Sequence, residues 1–196
     1  MAATAQGAER IIGANDAKAP CPFSPYRTMS RTQMWIAGST LPCCTILNVE
    51  WYISGQEPIH IGNYSPFTIK CCSTTRTLGS DFEQNYGGNT PETVYFRTGQ
   101  GFTPTANTWY GFKFDTPYEH LNNPVPLIIE VIWFSTGGVG CFTTWGRIIN
   151  PVKGAAIYGW GSETYLYPEN AHYLRITTGY VGIEPTSLGR IKTTYK

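Results

Sequence analysis

The chain has 196 residues, 14% of them charged and 14% aromatic, with 21 Gly, 14 Pro and six Cys. Soluble proteins carry roughly 25% charged residues, so this chain is charge-poor and aromatic-rich, which suits packed sheets and argues against disorder. A net charge of +1 without a Lys/Arg cluster excludes a basic nucleic-acid footprint. The best apolar stretch, Val125 to Phe134, contains Pro126 and Glu130 and falls short of the roughly 20 residues that a membrane helix needs.

In chain order, residues 1–30 read as an extended, irregular segment. Pro20, Pro22 and Pro25 disfavour helix there, and Ile11-Ile12 forms an apolar island. The start, MAATAQGAER, shows no basic region followed by an apolar one, so no signal peptide is read in it. From residue 31 the chain becomes short runs bounded by Gly, Pro and Asn, the spacing of a sandwich. Strands are expected at Gln33–Ala37, Thr45–Ser54, Phe67–Ser73, Thr93–Thr98, Thr108–Asp115 and Leu127–Phe134. Further ones are expected at Cys141–Ile149, Ala155–Tyr158, Tyr173–Thr177 and Tyr180–Ile183. In Thr45–Ser54 the alternation places Leu47, Val49, Trp51 and Ile53 inward. LIIEVIWF, almost continuously apolar, reads as a central strand. The expected fold is all-β: one antiparallel two-sheet sandwich, jelly-roll-like, of about ten strands over residues 31–196, preceded by the 1–30 segment.

The cysteines are Cys21, the vicinal pairs Cys43-Cys44 and Cys71-Cys72, and Cys141. Adjacent strand residues face opposite ways, so two vicinal pairs on neighbouring strands could be cross-linked on both faces, leaving Cys21 for Cys141. The alternative is buried free thiols acting as small hydrophobes. Disulfides would place the protein outside the cytosol.

The runs SRTQMWIAGSTL (Ser30–Leu41), ILNVEWYISG (Ile46–Gly55) and PFTIKCCSTTRT (Pro66–Thr77) carry a resemblance. It is strongest in VYFRTGQGFTPTANTWYGFKFDTPYEH (Val94–His120) and PLIIEVIWFSTG (Pro126–Gly137). Over Met29–Arg147 the chain resembles a β-sandwich module that recurs in secreted and cell-surface proteins of environmental bacteria and archaea. The resemblance implies a jelly-roll-like fold, an extracellular or cell-surface location and an accessory, non-catalytic role.

No G-x-S-x-G, H-E-x-x-H or phosphate loop is present. His60, His120 and His172 read as structural or exposed histidines, and the protein is expected not to be an enzyme. Glu50 and Glu130, on expected strands, are the first carboxylates to test as a hydrolytic pair. Asp81, Glu83, Asn85, Asn89 and Glu92 stand at loop positions 1, 3, 5, 9 and 12, a spacing of oxygen ligands that could suit calcium; no cofactor is required otherwise. Trp160, Tyr165 and Tyr167 are the aromatics most expected to face a glycan, ahead of Trp109-Tyr110, Trp133 and Trp145. Two segments could lend a strand to another copy: Ile11-Ile12, and SLGRIKTTYK with Leu188, Ile191 and Tyr195. The expectation is an extracellular, self-assembling subunit of a filament, tube or surface layer, whose partners are copies of itself. The alternative is a secreted carbohydrate-binding or adhesive module.

Overall fold

The computed structural model describes residues 7–19, 22–23, 29–53, 62–121, 124–135, 144–147, 154–160, 163–167 and 173–179. In chain order the strands are β1 (Ala8–Ile12), β2 (Ala14–Ala19), β3 (Met29–Ile36), β4 (Cys44–Tyr52) and β5 (Gly62–Ser73). A short helix α1 (Phe82–Asn85) precedes β6 (Glu92–Arg97), β7 (Gln100–Phe102), β8 (Trp109–His120) and β9 (Leu127–Ser135). Then come β10 (Thr144–Arg147), β11 (Gly154–Trp160), β12 (Glu163–Tyr167) and β13 (Leu174–Gly179).

They form two antiparallel sheets packed face to face. One has four strands in the order β1-β13-β4-β8; the other has seven, β12-β11-β3-β9-β5-β6 with β7 beside β5. β2 and β10 form a separate two-stranded ribbon, with β10 beside β4. The expected sandwich is present, and β9 is central as its apolar run implies. Leu127, Ile129, Val131 and Trp133 of β9 enter the core, while Ile128, Glu130, Ile132 and Phe134 take the outer face. At one side the sheets meet where β6 approaches β8. There Arg97 Nη1 and Nη2 reach Asp115 Oδ2 and Oδ1 at 2.6 and 2.9 Å.

The core is built on rings. Phe23 meets Trp51 edge-on at 5.2 Å, and Tyr64 lies 4.4 Å from Trp133. Phe67, Phe102 and Phe112 fill the space between the sheets. Pro22 and Phe23 tie the N-terminal segment in: Phe23 is buried, and Trp133 Nε1 donates to Pro22 O at 2.6 Å.

The structure differs from two expectations about local order. Residues 8–12 and 14–19 are strands rather than irregular. In β4 the inward set is Ile46, Val49, Trp51 and Ile53, with Leu47 only half-buried. The cause is a bulge between Ile46 and Asn48, which shifts the two-residue alternation by one. Gly111, opposite Glu50, is where β8 comes closest to β4: a Cβ there would stand 2.1 Å from Val49 O.

Candidate functional site

β1 is the edge strand of the four-stranded sheet among the described residues, held antiparallel on β13 by five register pairs from Ala8↔Thr178 to Ile12↔Leu174. Alternation splits its two isoleucines. Ile12 is 2% exposed and belongs to the core, whereas Ile11 is 57% exposed. The sequence island is thus half anchor and half open surface. Gly13, at φ 91°, breaks the chain direction between β1 and β2 in a region that favours glycine. Beyond it, β2 is fixed to β10.

Side chains also hold β1 in register. Thr178 Oγ1 donates to Ala8 O at 3.1 Å. Arg175 binds Glu50 of β4 through Nε and Nη2 at 2.6 and 2.8 Å, and its Nη1 lies 3.8 Å from Glu9 Oε2. The guanidinium therefore spans three strands on the outer face. It also lies 5.1 Å over the ring of Trp109, which packs with Tyr52 and Tyr173 at 5.4 and 4.8 Å. All three rings are half-buried.

A second cluster lies on the outer face of the seven-stranded sheet, under residues 74–91. Glu130 is fully buried. Its Oε1 accepts from Arg31 Nε at 2.6 Å and Gln33 Nε2 at 3.0 Å, and its Oε2 accepts from Tyr86 Oη at 2.5 Å. Arg31 also reaches Glu83 at 2.8 Å and lies over the Phe82 ring. Asn85 donates to Gln33 Oε1 and Gly79 O and accepts from Gly79 N. Burial, the largest influence, and the adjacent Glu130 together raise the Tyr86 phenol far above its usual value. This network closes a segment over Cys72 and Ile128. It leaves the carboxylate no open face toward a substrate.

The third cluster joins the two sheets at one end. Ser73 of β5 meets Tyr118 and His120 of β8: Ser73 N donates to Tyr118 Oη at 2.7 Å, and Ser73 Oγ lies 3.0 Å from both Tyr118 Oη and His120 Nδ1. Tyr118 Oη already accepts from the amide. Tyr118 Oη, Ser73 Oγ and His120 Nδ1 are all paired when Tyr118 donates to Ser73 Oγ, which in turn donates to Nδ1. His120 Nε2 then carries the hydrogen, and this buried atom has no partner. Burial lowers the imidazole below its ordinary value.

Four of the five residues expected from sequence to bind calcium make other contacts, and the fifth, Glu92, is exposed. Asp81 caps α1, its Oδ1 accepting from Glu83 N and Gln84 N at 2.9 and 3.1 Å. Glu83 pairs with Arg31, Asn85 is buried against Gln33, Asn89 Nδ2 donates to Ser73 O, and Glu92 is exposed on β6. Among the described residues no three of His, Cys, Asp and Glu gather as metal ligands. Asp81 and the four residues after it form a capped helical turn.

The expected cross-link between the two vicinal cysteine pairs is corrected. Cys43, Cys44, Cys71 and Cys72 are free thiols. Cys44 lies on β4 of one sheet and Cys71 and Cys72 on β5 of the other, so the vicinal pairs are not on neighbouring strands. Cys43 is exposed and donates to Leu121 O; the others are buried. Cys21 and Cys141 lie outside the described residues, as do His60, His172, Leu188, Ile191 and Tyr195.

Glu50 and Glu130 stand on the outer faces of opposite sheets, so they do not form a hydrolytic pair. Trp133 is a core residue. Trp160 ends β11 and pairs in register with Glu163, while Tyr165 and Tyr167 of β12 pair with Tyr158 and Ala156. Among the described residues no helix is long and apolar enough to cross a membrane. Comparison with protein-family models and with curated proteins found no match.

Proposed function

We propose that the protein is an extracellular structural subunit, joined to copies of itself in a filament, tube or surface layer by exchange of β1. The observation that carries this is the seating of β1: one strand neighbour among the described residues, one core anchor in Ile12, and a left-handed glycine hinge immediately after it. A second copy's residues 8–12 would make the same five pairs and fill the same hole. Each chain that gives up its own β1 then receives one from a neighbour, and concentration decides between the two arrangements. A head-to-tail joint of this kind extends without limit when its rotation does not close. The low charge of the surface leaves little repulsion between copies. The resemblance over Met29–Arg147 supports the extracellular setting.

Size-exclusion chromatography and negative-stain microscopy test this on the full chain and on Ile12→Asp. The full chain should form regular polymers as concentration rises, Ile12→Asp should not, and an excess of a peptide of residues 7–13 should shorten them. Polymers of unchanged length in both trials would refute β1 exchange.

The second reading is a secreted carbohydrate-binding or adhesive module. It rests on the half-buried Tyr52, Trp109 and Tyr173, three mutually inclined rings beside the Arg175–Glu50 pair. Glycan-array binding that is lost in Trp109→Ala, from a chain that stays monomeric, would favour it.

A further inference from the structure

A cavity of about 670 Å³ opens between residues 75–81 and α1, in the segment that closes over Cys72 and Ile128. Its size is that of a small-molecule site, about 300–1,000 Å³, but such sites are lined mainly by apolar and aromatic side chains. Here, among the described residues, every side chain on the wall is polar or charged, and no ring stands among them.

The wall is held in place from behind. The backbone of Arg76 is fixed twice: its N–H donates to Thr74 Oγ1 at 3.1 Å, and its carbonyl accepts from Trp35 Nε1 at 3.0 Å. Thr74 Oγ1 donates in turn to Asn85 O at 2.7 Å. Gly79 is gripped by the Asn85 side-chain amide, through its N–H at 2.7 Å and its carbonyl at 3.0 Å. Asp81 commits Oδ1 to two amides of α1 and Oδ2 to Gln84 Nε2. Between these anchors stand groups on the wall that bond to nothing among the described residues: the hydroxyls of Thr75, Thr77 and Ser80, the Arg76 guanidinium, and Gln84 Oε1. Arg76 differs in this from Arg31, Arg97 and Arg175, each of which lies against a carboxylate.

The unpaired groups define what fits. A guanidinium offers two parallel donors to an oxyanion, and the three hydroxyls both donate and accept. Gln84 Oε1 only accepts, so it suits a ligand hydroxyl and opposes an anion. A bare inorganic anion would leave that acceptor and most of the volume unused. An apolar ligand would strip water from the whole polar wall without replacing its hydrogen bonds. We infer that this cavity binds an acidic saccharide, with its carboxylate or sulfate on Arg76 and its hydroxyls on Thr75, Thr77, Ser80 and Gln84. The site shares no residue with the seat of β1 or with the Tyr52, Trp109 and Tyr173 rings, so it rests on neither reading above.

NMR titration of the full-length protein with glucuronate, a sulfated chondroitin disaccharide, glucose and inorganic sulfate tests this. At least one of the two acidic sugars should shift the amides of residues 75–81 and the side-chain amide of Gln84, and its affinity should fall as salt is raised. Glucose and inorganic sulfate each lack half of the contacts and should bind about tenfold more weakly or worse. Arg76→Gln should weaken the acidic sugar about tenfold or more. Its urea midpoint should stay where it is, because the guanidinium bonds to nothing in the protein. Trp109→Ala should leave binding at this cavity unchanged. Absence of shifts at residues 75–81 with both acidic sugars up to about 10 mM overturns the site, and so does binding that Arg76→Gln does not weaken. Inorganic sulfate as tight as the disaccharide overturns the saccharide assignment, and glucose as tight as glucuronate overturns the part given to Arg76. Shifts confined to Tyr52, Trp109 and Tyr173 overturn the cavity and favour the second reading's surface.

Discussion

Tyr86→Phe removes one hydroxyl from the network beneath residues 74–91. The ring keeps its packing against Cys72 and Ile128, so little volume is lost. What disappears is the hydroxyl that donates to Glu130 Oε2 at 2.5 Å and accepts a longer bond from Arg31 Nη2 at 3.4 Å. The other two donors to this carboxylate, Arg31 Nε and Gln33 Nε2, both serve Oε1. The variant therefore leaves one oxygen of a fully buried carboxylate without its donor. A hydrogen bond to a charged group contributes about 1.5–3 kcal/mol net, and a buried oxygen left unpaired places the loss toward the upper end, about 2–3 kcal/mol. The assay is urea unfolding followed by tryptophan fluorescence, with the slope compared so that a change in midpoint is a change in stability. Adding Glu130→Gln and the double variant completes a cycle whose coupling should be about 1–3 kcal/mol. The exposed Glu83–Arg31 pair should matter far less, because solvent screens it. A loss below about 0.5 kcal/mol for Tyr86→Phe, or strictly additive single variants, would show that the network does not hold residues 74–91 down.

Two further outcomes follow from burial. Under native conditions at pH 8, iodoacetamide should label Cys43 before Cys44, Cys71 and Cys72, since only Cys43 is exposed and burial raises the other three thiols; mass spectrometry of tryptic peptides gives the order. All four should be labelled in urea without a reductant, and failure there would restore the disulfides. Trp133→Phe removes the indole N–H that binds Pro22 O and leaves a void between the sheets, so it should cost about 2–4 kcal/mol in the same urea assay. Unchanged stability would mean that residues 22–23 are not tied into the core as described.

The sandwich was legible because its strands obey the two-residue period wherever one face is buried, and β9 because both of its faces are. The bulge in β4 was not legible, since nothing in TILNVEWYIS marks where one residue steps out of alternation. Glu130 did announce itself as the only charge in LIIEVIWF. Its role did not, because Arg31, Gln33 and Tyr86 reach it only through the pairing of β3 with β9 and the fold-back of residues 74–91. Asp81 reads two ways for a physical reason: oxygens spaced to suit calcium also suit the first turn of a helix, where Asp81 caps two amides. A capping residue followed by Glu83 in the first turn was the available signal. The vicinal cysteines misled because pairing them requires neighbouring strands, and strand order is a long-range property. His120 gave no sign at all; only the approach of β5 to β8 makes it special.

The direction in which β1 lies has a mechanical consequence. Its five pairs with β13 run along the strand, so a pull applied along its axis loads all of them in parallel, as shear. A pull across the sheet opens the same pairs one after another, like a zipper, at far lower force. A joint made through this strand is therefore stiff under tension along the strand and weak to peeling, and single-molecule pulling in the two geometries would give sharply different rupture forces for the same five residues.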